Sequence, residues 1–333
     1  DVARETRTLR HTDEELGAFP RVVDQAAFRT DAVRSLLTDL GTAPAALSAV
    51  VARGGLLRPL SSGTYRVDDA MRADLRAGER GEHASNLGAL MAHALAAPEG
   101  LPAFIVDPVC VDELDPVARV SGLADVERES LCHALNTKAV ARRHGLSVGR
   151  PYPALRLVVA HLGTGISVTA HREGRMVDVS NPMDEGPLSP DRPGELPNRA
   201  LVDRCFAEGA ERDDVRRMLV GGGGLWSYLG TRDLRIAMAR RRDGDAEATR
   251  VLDAMVYQIG KTIAAMASVL RGKVDAILLT GGMAYEPFVV DGVKARVGWI
   301  ADVAVYPGED ELQALAEGAL RVLRGDEEAR VYG

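Results

Sequence analysis

The string His161-Leu162-Gly163-Thr164-Gly165-Ile166-Ser167 carries the densest chemical potential in the sequence. Two glycines flanking a hydroxyl let backbone amides approach a phosphate, with Thr164 and Ser167 as further donors. The same spacing also suits a plain hairpin turn. His161 closes an apolar run and reads either as a structural histidine or as a catalyst. Thr280-Gly281-Gly282 ends another apolar run with a glycine pair, a weak nucleotide signal. Four glycines at 221–224 are more telling. Such flexibility costs up to about 1 kcal/mol per residue in regular structure, and Trp226 and Tyr228 follow at once, which argues for a packed loop over a free linker.

Charged groups supply a second set of candidates. Asp107 follows Phe104-Ile105-Val106 and precedes Pro108. A carboxylate at a strand end faces the ligand crevice of many α/β folds, although a structural or capping role fits equally. Arg53 leaves a short apolar strand, where it serves a salt bridge or an anion site. Arg192 sits in the Pro-rich stretch 181–197, and a stiff loop of that length is usually functional. Glu309-Asp310-Glu311 reads as a charge cluster at a helix start, worth about 0.3–1 kcal/mol, or as oxygen ligands for Mg²⁺. Only Lys138, Lys261, Lys273 and Lys294 are lysines among 41 basic residues, so oxyanion chemistry here falls to the arginine fork.

These residues need a scaffold of alternating strands and helices. Apolar periodicity and turn residues predict strands at 1–10, 47–51, 102–111, 155–161, 166–171, 176–179, 276–279 and 303–306. Helices are predicted at 31–40, 84–97, 126–144, 200–206, 213–219, 251–270 and 312–323, with a capped start at Thr12 and helical spacing through Val23. The stretch 145–153 has the Gly/Pro content of a linker and divides residues 1–152 from 153–333. Strands that end in glycine turns and pass into helices indicate an α/β protein. The length of 333 residues, 46% hydrophobic and 27% charged, gives a two-domain prior and a large core. A net charge of −7 argues against a nucleic-acid partner, and no apolar run reaches the roughly 18 residues of a membrane span. Cys110, Cys132 and Cys205 lack metal-ligand or disulfide spacing, which suits a cytoplasmic protein.

Taken together and in order, the motifs resemble the butyrate kinase family. The resemblance rests on Val50-Val51-Ala52-Arg53-Gly54-Gly55-Leu56-Leu57, Gly81-Glu82-His83-Ala84-Ser85-Asn86-Leu87-Gly88, Phe104-Ile105-Val106-Asp107-Pro108-Val109 and His133-Ala134-Leu135-Asn136. It continues through the His161 string, Gly186-Pro187-Leu188-Ser189-Pro190 with Arg192, Tyr228-Leu229-Gly230-Thr231, Leu279-Thr280-Gly281-Gly282 and Tyr306-Pro307-Gly308-Glu309-Asp310-Glu311. It implies two duplicated actin-like (ribonuclease H-like) α/β domains with a nucleotide cleft between them, an acyl-substrate-side first domain, a nucleotide-binding second domain, and a last helix packing back on the first. It also implies a homodimer and ATP/ADP with Mg²⁺, phosphorylating butyrate or another short carboxylate such as acetate.

The resemblance further implies roles for single residues. Gly163, Thr164 and Gly165 would cradle the ATP phosphates, with His161 beside the transferring group. Asp233, Leu234 and Arg235 would meet the adenine and ribose, and Gly281, Gly282, Met283 and Ala284 would form the adenosine motif. Asp107 would be the catalytic carboxylate and Arg192 the phosphoryl clamp. Arg53 and His83 would lie on the acyl side, and Asp310 and Glu311 would position Mg²⁺. At Thr137 acetate kinases carry a second active-site histidine, so its replacement favours a longer-chain acid. Family members begin with a strand–loop–strand bearing a first phosphate loop. The present sequence starts near the third strand, which implies a truncated product or a fragment and leaves 6–10 as an exposed edge strand.

Overall fold

A computed structural model describes Ala3 and residues 5–333. In chain order the first elements are α1 (Asp13–Gly17), α2 (Ala26–Asp39), β1 (Val50–Ala52), β2 (Thr64–Arg66), α3 (Asp69–Ala77), α4 (Asn86–Ala96) and β3 (Ala103–Val106). Next come α5 (Ala134–Ser147), β4 (Leu157–Leu162), β5 (Ile166–Arg172), β6 (Arg175–Ser180), α6 (Asn198–Cys205), α7 (Arg212–Leu219) and α8 (Gly224–Leu229). The chain closes with α9 (Leu234–Arg242), α10 (Ala246–Val269), β7 (Ala276–Gly281), α11 (Pro287–Val297), β8 (Val303–Pro307) and α12 (Glu311–Arg324). The chain forms two compact units: one runs to Val111 and includes Asp310–Gly333, and the other is Asp112–Glu309.

The first unit holds a three-stranded sheet in the order β1-β3-β2, with β1 parallel and β2 antiparallel to β3. Leu57, Tyr65, Met71, Leu75, Leu90 and Ile105 share its core. The helix α12 lies directly against β3: a Cβ on Gly318 would come within 2.5 Å of Val106. Glycine there lets helix and strand close.

The second unit is built on a five-stranded sheet, β6-β5-β4-β7-β8. Its first three strands form an antiparallel meander, and β4, β7 and β8 run parallel. Along β4, Val158, Ala160 and Leu162 pack into one core with Leu252, Met255, Val256, Ile259 and Ile263 of α10. Leu157 and Val159 pack into another with Val140 and Ala141 of α5. Alternate residues thus serve opposite faces, both covered by helices, which is why these strands read as unbroken apolar runs.

Several sequence expectations change. Residues 1, 2 and 4 of the first predicted strand lie outside the described residues, and 5–12 adopt no regular structure, so no edge strand forms at 6–10. The capping box at Thr12 is present, but α1 lasts only to Gly17 before a 3₁₀ turn at Val22–Gln25. The long helix predicted from 126 begins instead at Ala134, where the His133 side chain caps it. The supposed linker contains the end of α5 and the buried Tyr152, and a Cβ on Gly145 would meet the Arg150 carbonyl oxygen at 2.6 Å. The units divide at Val111/Asp112 and Glu309/Asp310 rather than at 152/153, because α5 packs on β4 and β7. Among the described residues no helix is long and apolar enough to cross a membrane.

A buried polar network lies under the meander. Tyr152 Oη is 2.7 Å from His171 Nδ1, Thr169 Oγ1 is 2.6 Å from His171 Nε2, and Thr169 itself donates to the Val159 carbonyl. Burial, with the charges of Lys138 and Arg142, holds the His171 imidazole well below its ordinary pKa and therefore neutral. The unfolded chain takes up this proton first, so the stability due to neutral His171 is complete above about pH 6.5 and is lost as pH falls below it. Urea unfolding at successive pH values should show stability declining on acidification by at most about 1.4 kcal/mol per pH unit for this one proton. His171→Gln should flatten that component; an unchanged slope would remove His171 as its source.

Candidate active site

The ends of β4 and β7 meet on glycine. Gly281 has φ +89, and a Cβ there would stand 2.6 Å from the Leu162 carbonyl oxygen, so the strand ends close only around a hydrogen. Gly281 and Gly308 also exchange two backbone hydrogen bonds of 3.0 Å. Gly282 faces open space and lines a cavity of about 670 Å³ with Gly163, Thr164 and Met283. Asp233, Leu234 and Arg235 also line it, as do Tyr285, Glu286 and Glu309. That volume is in the range of small-molecule sites. Gly281 and the buried Ala284 are not among the lining residues. Asp233 caps α9 and accepts from Arg235, whose guanidinium hydrogen bonds hold its carboxyl down to about 2.

Stretch 181–197 is tied to the glycine turn. Ser189 Oγ donates to the Thr164 carbonyl at 2.5 Å, and the Arg192 amide donates to Ser189 Oγ at 3.1 Å. The glycines at 221–224 brace it from behind. The Gly221 amide donates to the Asp191 carbonyl, Leu225 to Ser189 and Trp226 to Pro190. A Cβ on Gly224 (φ +59) would stand 1.8 Å from the Ser189 carbonyl oxygen, and one on Gly223 would stand 2.4 Å from Pro193 N. The glycine run thus permits backbone to pack on backbone.

Held this way, Arg192 reaches the turn: a Cβ on Gly165 would be 3.9 Å from Arg192 Cγ. Its Nη1 lies 2.8 Å from Asp191 Oδ1, close enough for an ion pair but without the alignment of a hydrogen bond, since that oxygen has no hydrogen-bond partner among the described residues. Arg192 Nε is buried with no partner among the described residues. An unsatisfied buried donor costs about 1–3 kcal/mol, and an anionic ligand would satisfy it.

His161, at the C-terminal end of β4, is buried. Its Nδ1 lies 2.8 Å from Asn136 Oδ1, and its ring centroid is 4.6 Å from that of His133. Glu309 Oε1 is 3.5 Å from His161 Nε2, and Glu309 Oε2 is 3.7 Å from His133 Nε2. The sequence gives no role to His133 or Asn136 beyond the 133–136 string, and shows Glu309 only as part of the acidic cluster at 309–311. No N-cap signal marked His133 in the sequence, because the predicted helix over 126–144 places it in mid-helix, whereas α5 starts at Ala134. Thr137 is buried and donates to the Ala134 carbonyl.

The first unit carries the remaining candidates. Asp107 follows β3 with φ +39 and is 1% exposed, accepting from Ser62 Oγ at 2.5 Å and the Gly63 amide at 2.8 Å. Arg53 pairs with Glu311 at 3.1 Å. Burial chiefly, and then the Arg53 charge, lowers the His83 pKa, so Arg53, His83 and Glu311 gather in one region of this unit. Asp310 precedes α12 with φ +44.

Asp310 and Glu311, the pair expected to position Mg²⁺, stand at the start of α12. Glu311 is engaged by Arg53. Among the described residues, the one trio with clustered ligand atoms is His133, His161 and Glu309. Two imidazoles and a carboxylate differ from the all-oxygen set that magnesium prefers.

Strand ends that meet on glycines over a cavity, with a braced arginine loop beside it, define an α/β protein of the actin-like, nucleotide-binding class. The acetokinase family model matches residues 128–294, half of the chain, and the chain belongs to the acetokinase family. It is therefore a carboxylate kinase, a phosphotransferase that uses ATP. Among solved structures it resembles the acetate kinase of Porphyromonas gingivalis (TM-score 0.77, 20% identity, 87% of this chain and 84% of that one). A propionate kinase from Francisella tularensis subsp. tularensis SCHU S4 follows (TM-score 0.71, 16% identity, 87% and 83%). The acetate kinase of Entamoeba histolytica gives TM-score 0.70 at 14% identity, covering 87% and 85%. At these identities the likenesses establish the fold.

Proposed function

We propose that the chain is a butyrate kinase, transferring the γ-phosphoryl group of ATP in line to butyrate and giving ADP and butyryl phosphate, reversibly. The observation that carries the nucleotide half of this reading is the cavity that gathers Gly163, Thr164, Asp233, Leu234, Arg235, Gly282 and Met283. The preference for butyrate rests on the sequence strings, chiefly those around Arg53, His83 and His133.

A carboxylate is already a nucleophile at neutral pH and needs no strong base, so the task is to bring two anions together and offset their repulsion. Backbone amides around Gly163 and Gly165 hold the phosphates. Arg192, with its unsatisfied Nε, neutralises charge on the transferring group, and His161, once Nε2 has taken up a proton, supplies a further donor. Asp107 serves as the catalytic carboxylate, kept in place by Ser62 and Gly63. Arg53 and His83 serve the acid. Members of the family use ATP with Mg²⁺, and here Asp310 and Glu311 would position the ion, which would offset charge on the nucleotide's phosphates. The protein acts as a homodimer in the cytoplasm.

Trapping acyl phosphate as hydroxamate, with MgATP and straight-chain acids of increasing length, tests this. The highest kcat/KM is expected for butyrate. A maximum at acetate or propionate would reassign the substrate, and nucleotide binding without product would leave a nucleotide-binding remnant.

A further inference from the structure

Asn136 is the hub of the histidine cluster. Its side-chain Nδ2 donates to the Glu309 carbonyl oxygen at 3.0 Å. A carbonyl only accepts, so the amide cannot be flipped and Oδ1 is the atom facing His161 Nδ1 at 2.8 Å. An amide oxygen also only accepts, so His161 carries a proton on Nδ1. At His133 the relation is reversed. The Asn136 backbone N–H donates to His133 Nδ1 at 3.4 Å, the N-cap bond of α5, so that nitrogen keeps its lone pair and the His133 proton is on Nε2.

We propose that Asn136 is a positioning residue that sets the two adjacent imidazoles in opposite tautomers, His161 protonated on Nδ1 and His133 on Nε2. His133 then presents an N–H at Nε2. His161 presents Nε2 as the atom that takes up a proton, and that atom lies 2.9 Å from the Cβ position of Gly163 in the glycine turn. Neither arrangement is a property of the isolated side chains. One asparagine imposes both, using its backbone amide for one ring and its side-chain oxygen for the other, while its remaining donor holds the strand end that bears Glu309. The kinetic part of this proposal rests on the kinase reading above; the tautomers do not.

The test is ¹⁵N NMR of the imidazoles in the full chain, with kinetics alongside. The wild type should show His161 as the Nδ1–H tautomer and His133 as the Nε2–H tautomer. Asn136→Ala should release His161 from the Nδ1–H form and lower kcat roughly 10- to 100-fold, with KM for ATP changed far less. Asn136→Asp keeps an acceptor for His161 and should retain its tautomer and recover part of kcat. Finding His161 protonated on Nε2 in the neutral wild type, or finding its tautomer unmoved in Asn136→Ala, overturns the proposal. Should Asn136→Ala fail to fold, the wild-type tautomers and the Asn136→Asp variant decide the matter. The predicted tautomers in a chain that makes no acyl phosphate would leave the positioning role standing and remove the kinase reading instead.

Discussion

Arg192→Ala should lower acyl phosphate formation by about 10²–10³-fold, the usual loss when one preorganised donor to a transition-state oxyanion is removed. The fold should survive. Arg192 is held through its backbone, by the bond from its amide to Ser189 Oγ and the one from the Ser189 amide to its carbonyl. Truncation also removes a buried donor with no partner among the described residues, and that offsets part of the lost packing. Turnover in the hydroxamate assay should therefore collapse while the urea midpoint moves little. Arg192→Lys should recover only a small part, because an ammonium lacks the planar fork and reaches phosphate oxygens as a point charge. A loss below about tenfold in Arg192→Ala would strip Arg192 of the clamp role.

The largest stability effect is expected at Glu113. Its carboxylate lies 2.6 Å from Lys138 Nζ, with side chains 9% and 1% exposed, and it also accepts from the Met176 amide at 2.9 Å. Lys138 in turn donates to the Gly174 carbonyl at 3.0 Å. Two charges in such a place gain little over well-packed apolar groups, yet removing one strips the other, still buried, of this ion pair. Glu113→Leu should therefore destabilise the protein by about 3–5 kcal/mol. Adding Lys138→Met should restore much of that loss, although the Met176 amide still lacks its acceptor. Urea unfolding of the two single variants and the double variant gives the coupling directly. Strictly additive losses would mean that the pair does not act as a unit.

Legibility in the sequence followed the range of the interaction. The β4–β5–β6 meander was readable because short apolar runs broken by Gly-containing turns are local patterns, and the apolar stripe of α10 was readable because it repeats every 3.6 residues. By contrast, β2 is three residues long and follows Ser61-Ser62-Gly63, too little periodicity to register. The helix predicted from 126 failed for a related reason. Residues 126–132 contain no Pro or Gly to stop a helix, but Arg128 is drawn away to Asp178, Glu185 and the carbonyls of Ala118 and Val179. Those partners are invisible in the local sequence.

By itself, the sequence determined the α/β character, the glycine turn at 163–165, the Gly281-Gly282 pair and the strand-end Asp107. Each depends on a residue's own backbone freedom or on its nearest neighbours. Only the tertiary structure decided why 221–224 must be glycine, that Arg192 of the long loop reaches the turn, and that His133, Asn136 and Glu309 surround His161. Those facts depend on which remote segments come within a bond's length of each other. Close approach of backbone to backbone leaves no trace in composition, and the direction of a hydrogen bond is set by whichever atom the fold places opposite it.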